Sequence, residues 1–187
     1  MEAFLVTLGA VAVAEIGDRT QLLALMLAAC YRKPWPILAG IVAATLVNHL
    51  AAGAVGILLA DFLTPRVLDA VVAVSLLVMA GWTLIPDKEG GKPDCSNRNV
   101  FLATLWIFFI TEIGDKTQIV TTTLAAGYHN LFAVVAGSTL GLLAADAPVV
   151  FFGNAFAGRL PLQTIRYIAA AIFAVLGVIF AIRALAA

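Results

Sequence analysis

Six stretches of this sequence, roughly 3–29, 35–61, 67–85, 100–126, 131–158 and 163–186, are apolar and each about 20 residues or longer, the length a helix needs to cross a bilayer. Nothing else in the chain constrains its fold as tightly. In lipid a backbone must satisfy its own hydrogen bonds, so stretches of this kind fold as helices. Composition agrees, since 63% of the 187 residues are hydrophobic and 12% are charged. Soluble domains are usually near half apolar and a quarter charged, and a domain this small could not hide so much apolar side chain from water. The breaks carry turn and charge signals, among them Tyr31-Arg32-Lys33-Pro34, Thr64-Pro65-Arg66 and Tyr128-His129-Asn130. The first stretch is preceded by no basic residue and is too long for a signal-peptide core, so it reads as a retained span.

The sequence is also internally duplicated. Glu15-Ile-Gly-Asp-Arg-Thr-Gln21 recurs as Glu112-Ile-Gly-Asp-Lys-Thr-Gln118, an offset of 97 that also matches Tyr31 with Tyr128 and Gly40 with Gly137. The expected architecture is therefore an all-α membrane protein forming one transporter-like domain over 1–187. Repeat 1 covers 1–85, a polar Gly/Pro-rich linker covers 86–99, and repeat 2 covers 100–187. Three spans per repeat is an odd number, so the second copy enters the bilayer from the opposite side. Six transmembrane helices in two inverted-topology three-helix repeats are the arrangement that places a transported substrate near the midplane. Seven Lys and Arg residues (Arg32, Lys33, Lys88, Lys92, Arg98, Arg159, Arg166) fall in loops on one side and two, Arg66 and Arg183, on the other. That asymmetry puts the linker in the cytoplasm and both termini outside. Cys30 and Cys95 would then face the reducing side as free thiols. With 11 basic and 11 acidic residues, nothing suggests nucleic-acid binding.

The duplicated motif is where charge enters the membrane. Each Glu lies about twelve residues into its span, so at about 1.5 Å per residue both sit near mid-bilayer. Carboxylates there cost about 2.5–3.5 kcal/mol each, so four cost on the order of 10 kcal/mol unless paired, protonated, solvated or metal-bound. Glu15 and Asp18 are i,i+3 and so project from one helix face, a row that Gln21 continues; Glu112, Asp115 and Gln118 repeat the row from an antiparallel helix. Facing rows would offer four carboxylates and two amide oxygens, with the Thr20 and Thr117 hydroxyls nearby. All are hard oxygen donors suited to Mn²⁺, Ca²⁺ or Mg²⁺. Arg19 and Lys116 follow four residues after each Glu and are expected to pair with it when no cation is bound. Gly17 and Gly114 serve either close helix packing or a local break that frees backbone carbonyls. In the second span of each half, His49 and Asp146 occupy equivalent positions, with Asn48 beside the histidine, and are secondary candidates. Asp61 and Asp69 flank an outer loop and are expected to be solvated.

Two intact copies of Glu-x-Gly-Asp-[Lys/Arg]-Thr, each in the first span of a three-span repeat, resemble the Gdt-type family of Ca²⁺/Mn²⁺:H⁺ antiporters over essentially the whole chain. The resemblance implies that Glu15, Asp18, Glu112 and Asp115 bind the transported cation while protons move the other way. It implies a transporter, not an enzyme, with no cofactor, whose partners are divalent cations, protons and lipid. The short linker and the lack of a targeting extension point to a bacterial inner (plasma) membrane protein, with manganese ahead of calcium as cargo. A Ca²⁺/H⁺ antiporter with the same site is the nearest alternative, and a cation channel the alternative of another class. An intramembrane aspartyl protease fits poorly, because its Gly-x-Gly-Asp pattern has Glu at position 15 here. Oligomeric state is open.

Overall fold

The computed structural model describes residues 1–85, 99–153 and 161–186. Among them the chain is all-helical: α1 (Glu2–Glu15), α2 (Arg19–Tyr31), α3 (Pro34–Asp61), α4 (Pro65–Thr83), α5 (Val100–Glu112), α6 (Lys116–Tyr128), α7 (Leu131–Phe152) and α8 (Leu162–Ala186). Four of these, α3, α4, α7 and α8, are long and apolar enough to cross a membrane. The first and fourth apolar stretches differ from expectation. Each is split into two short helices at the duplicated motif, 14 and 13 residues in the first case and 13 and 13 in the second.

Local sequence explains the helix ends. Pro34 and Pro65 open α3 and α4 at first-turn positions where no amide donor is needed. Asn99 and Asn130 cap α5 and α7, accepting hydrogen bonds from Leu102 N–H and Ala133 N–H at 3.1 Å each. Arg32 and His129, themselves 97 residues apart, close α2 and α6 in the left-handed conformation, with φ of 53° and 48°.

The two halves bury equivalent residues. Every buried residue of α3 from Ile37 to Gly53 has a buried counterpart 97 positions later in α7. The cross-half contacts exchange in the same way. A Cβ on Gly40 of α3 would lie 2.9 Å from Phe101 O and 2.8 Å from Thr104 Cβ of α5. One on Gly137 of α7 would lie 2.6 Å from Phe4 O and 3.2 Å from Thr7 Cβ of α1. Small residues thus let the second helix of each half lie directly on the first helix of the other half. The third helices, α4 and α8, pack against each other, and Gly177 meets Leu77 and Ala73 O across that contact. Large apolar side chains such as Val55, Leu58, Val74, Val78, Val178 and Ile182 stay exposed on the outside, as a lipid-facing surface requires.

Two expectations are corrected here. Asp69 is buried and pairs with Arg183 at 3.6 Å, because α8 covers the start of α4, whereas Asp61 is exposed. Cys30 is disulfide-bonded rather than a free thiol. The chain's other cysteine, Cys95, lies outside the described residues, as does most of the linker.

Candidate metal-transport site

The duplicated motif folds the same way twice. After Glu15, Ile16 is extended (φ −66°, ψ 116°), Gly17 takes φ +81°, and Asp18 N–H donates back to Glu15 O at 3.0 Å. After Glu112, Ile113 is extended (φ −62°, ψ 117°), Gly114 takes φ +74°, and Asp115 N–H donates to Glu112 O at 3.0 Å. These are type II turns, whose third position needs positive φ and hence glycine. Of the two readings left open for Gly17 and Gly114, the local break is the one that forms, and continuous Glu-to-Gln rows are not present. Each Asp becomes the N-cap of the next half-helix. Gln21 and Gln118 sit at the third helical position and accept the Gly17 and Gly114 N–H groups at 2.9 and 2.6 Å. Glutamine reaching back over a helix start in this way satisfies a donor the turn would otherwise strand. Gln21 Nε2 also donates to Ala145 O at 2.9 Å. Both glutamines thus hold the turns together.

The break also redirects the charges. The expected Glu15–Arg19 and Glu112–Lys116 pairs are replaced by bridges between motifs, since no i,i+4 geometry survives across a turn. Lys116 Nζ lies 3.0 Å from Asp18 Oδ1, and Arg19 lies 2.5 Å from Asp115 Oδ1. Under the 97-residue offset each bridge becomes the other. The two motifs therefore meet face to face, aspartate of one against base of the other, with both aspartates, both glutamates and Lys116 buried.

The glutamates sit in unequal surroundings. Glu112 accepts from Thr45 Oγ1 at 2.5 Å and from Asn48 Nδ2 at 3.0 Å, both on α3. The equivalent positions on α7 are Leu142 and Ala145, which cannot donate from their side chains, and Glu15 instead accepts from Thr20. Thr45 is a site contact that motif spacing did not single out; its signal was a hydroxyl one turn from Asn48 and His49. Asp146 on α7 is fully buried, as is His49 on α3. Among the described residues, Glu15 Oε2, Asp115 Oδ2, both Asp146 oxygens, both His49 nitrogens and Thr117 Oγ1 have no hydrogen-bond partner. Buried polar atoms are rarely left so. Also among these residues, no three His, Cys, Asp or Glu side chains gather closely enough to hold a metal ion. The aspartates are engaged by their cross-motif bases, so the six-oxygen cage is not assembled.

A pair of broken helices with buried carboxylates at the breaks suits ion handling, and the comparisons decide the family. The sequence matches the family described as "Divalent cation/proton antiporter GDT1" over residues 3–91 and 100–187. The chain belongs to this antiporter family. It is similar to a Vibrio cholerae protein named "Putative manganese exporter", with 49% identity over 174 residues, covering 92% of this chain and 87% of that one. A "GDT1-like protein" of Synechocystis is 26% identical over 202 residues, 96% of each chain. "GDT1-like protein 4" of Oryza sativa subsp. indica is 26% identical over 200 residues, 92% of this chain and 70% of that one. No solved structure matches.

Proposed function

We propose that this antiporter exports Mn²⁺ in exchange for protons, and that the cation is carried by Glu15, Asp18, Glu112 and Asp115 at the meeting point of the two motifs. The observation that carries the reading is the reciprocal bridging of Asp18 to Lys116 and Asp115 to Arg19 beside buried carboxylate oxygens without partners. In this arrangement the bases occupy the aspartates while no cation is bound. A divalent ion displaces Lys116 and Arg19 and draws the four carboxylates together; protons compete for the same oxygens. Mutually exclusive occupancy by M²⁺ or H⁺ couples the two flows. Thr20, Thr45 and Asn48 orient the glutamates, and the two glutamines keep the turns. Asp146 and His49 supply further titratable groups one helix away. Manganese is preferred as cargo because of the name of the Vibrio relative and because His49, the sequence neighbour of the Glu112 contact Asn48, carries an imidazole, a donor Mn²⁺ accepts more readily than Ca²⁺.

The same reading makes each broken pair, α1–α2 and α5–α6, one span. The chain then crosses the bacterial inner membrane six times as two inverted repeats, which the exchange of contacts under the 97-residue offset supports. For orientation, the Lys and Arg count favours both termini outside. The disulfide at Cys30 pulls the other way, since such bonds persist on oxidising sides. The test of the site is Mn²⁺ efflux from cells expressing Asp115→Asn or Glu112→Gln. Both are expected to abolish efflux in protein that is still folded, and retained efflux in either removes that residue from the site.

A further inference from the structure

The third helices break the symmetry that the other helices keep. Among the described residues, the α4–α8 pair packs against α1 and α6. The pseudo-equivalent contacts, α4 with α5 and α8 with α2, are not formed to a comparable extent. Helices α1 and α6 occupy one end of the molecule, since Tyr128 at the close of α6 donates from its hydroxyl to Glu2 at the start of α1, at 3.5 Å. At the other end of its run α4 stops at the level of the motifs, where Thr83, Arg166 and Ala169 share one crevice with Gly17, Asp18 and Lys116. The α4–α8 pair therefore covers one half of each broken helix, α1 of the first and α6 of the second.

At that end one chain of contacts ties all four elements together. Glu2 of α1 holds Tyr128 of α6, whose ring meets Phe180 of α8 edge-on at 5.9 Å. The Arg183 guanidinium lies 4.7 Å over the Phe180 ring and 3.6 Å from Asp69 of α4. Phe180 is fully buried and would meet any Cβ on Gly127 at 2.8 Å, so it fills the gap between α6 and α8. The contacts around it are a long hydrogen bond, a half-exposed ion pair and a cation–π contact, each weak by kind. Weak bonds around an aromatic plug suit a closure that must reopen. The positions equivalent to Glu2, Tyr128, Phe180, Arg183 and Asp69 under the 97-residue offset are Asn99, Tyr31, Thr83, Pro86 and Arg166, a set with no acidic residue and no large plug at the Phe180 position.

We propose that Glu2, Tyr128, Phe180, Arg183 and Asp69 form a gate that closes the transport pathway at the N-terminal end by holding α4 and α8 against α1 and α6. The proposal rests on the antiporter reading, and it identifies the present arrangement as the state closed at that end. Opening the gate releases the α4–α8 pair toward α2 and α5, making the contacts that the repeat implies and this state lacks. The gate residues touch no cargo; they position the moving pair.

The experiment measures distances by double electron–electron resonance, without metal, so its outcome is independent of what the protein transports. Spin labels replace Phe132 on α7 and Leu185 on α8, both largely exposed, in a Cys30→Ser/Cys95→Ser background. A control pair replaces Val47 on α3 and Leu140 on α7. We expect one short 132–185 population in the parent. In Arg183→Gln and Phe180→Ala a longer population should appear, with the control pair unchanged, and the reversed pair Asp69→Arg/Arg183→Asp should bring back the short one. An unchanged 132–185 distance in both gate variants overturns the proposal. So does lengthening that appears equally in the control pair, or a reversed pair that fails to restore the parent distance.

Discussion

Replacing Asp18 by asparagine should cost far more stability than the equivalent change at Asp115, although the two occupy matching positions. Lys116 and Asp18 keep only 6% and 2% of their side-chain exposure and sit 3.0 Å apart. Asp18→Asn takes a carboxylate away from a buried ammonium, and breaking a buried pair from one side costs about 3–5 kcal/mol. In Asp115→Asn the cation left behind is Arg19, whose side chain is 38% exposed and can turn toward solvent. Its loss should be about 1 kcal/mol, as for exposed pairs. Adding Lys116→Met to Asp18→Asn removes the buried cation as well and should recover most of the difference. Equilibrium unfolding of the purified variants in one detergent reads all three values. Equal losses for the two aspartates, or no recovery with Lys116→Met, would refute the reasoning. Transport separates stability from function: the recovered double variant should still carry no Mn²⁺, and restored transport would remove Asp18 from the ligand set.

Ala at Gly114 must adopt φ +74° with nothing within 4 Å of its Cβ, so the expected loss is backbone strain alone, about 1–2 kcal/mol. Gly17→Ala adds a contact of 2.8 Å with the flexible end of Leu162 and should lose slightly more; melting temperatures compare the two, and a neutral Gly114→Ala would mean the turn is not kept. For orientation, intact cells treated with an impermeant reductant should leave Cys95 unreactive to an impermeant maleimide, and ready labelling would turn the chain over.

Much of this fold was legible because its signals are local or repeated. Apolar run length marked the helices, and the offset of 97 marked both the halves and the residues they bury alike. The motif's chemistry was legible as charge in lipid, but its geometry was not. Glycine inside a membrane helix is tolerated without a break, so Gly17 and Gly114 alone could not choose between packing and turn. Once the turn forms, i,i+4 logic fails, and Arg19 and Lys116 find the opposite motif rather than their own. The glutamines' part in the turns was hidden because their spacing continued the carboxylate row; the fold brings their oxygens to the Gly17 and Gly114 N–H groups. Asp69 looked solvated because its partner, Arg183, is 114 residues away and no local pattern joins them. The one-sided packing of α4 and α8 against α6 and α1 departs from the repeat, and repetition in the sequence cannot express a departure from itself.

The central claim is exchange of a divalent cation for protons through the paired motifs. Its most direct test is purified protein in liposomes with an imposed pH gradient, following Mn²⁺ uptake and internal pH together, with Ca²⁺ and Mg²⁺ in parallel. The account predicts Mn²⁺ accumulation on the acidic side matched by proton movement in the opposite direction, dissipated when the gradient is collapsed and absent in Asp115→Asn. Mn²⁺ flux that ignores the pH gradient, or that survives unchanged in Asp115→Asn, would contradict it.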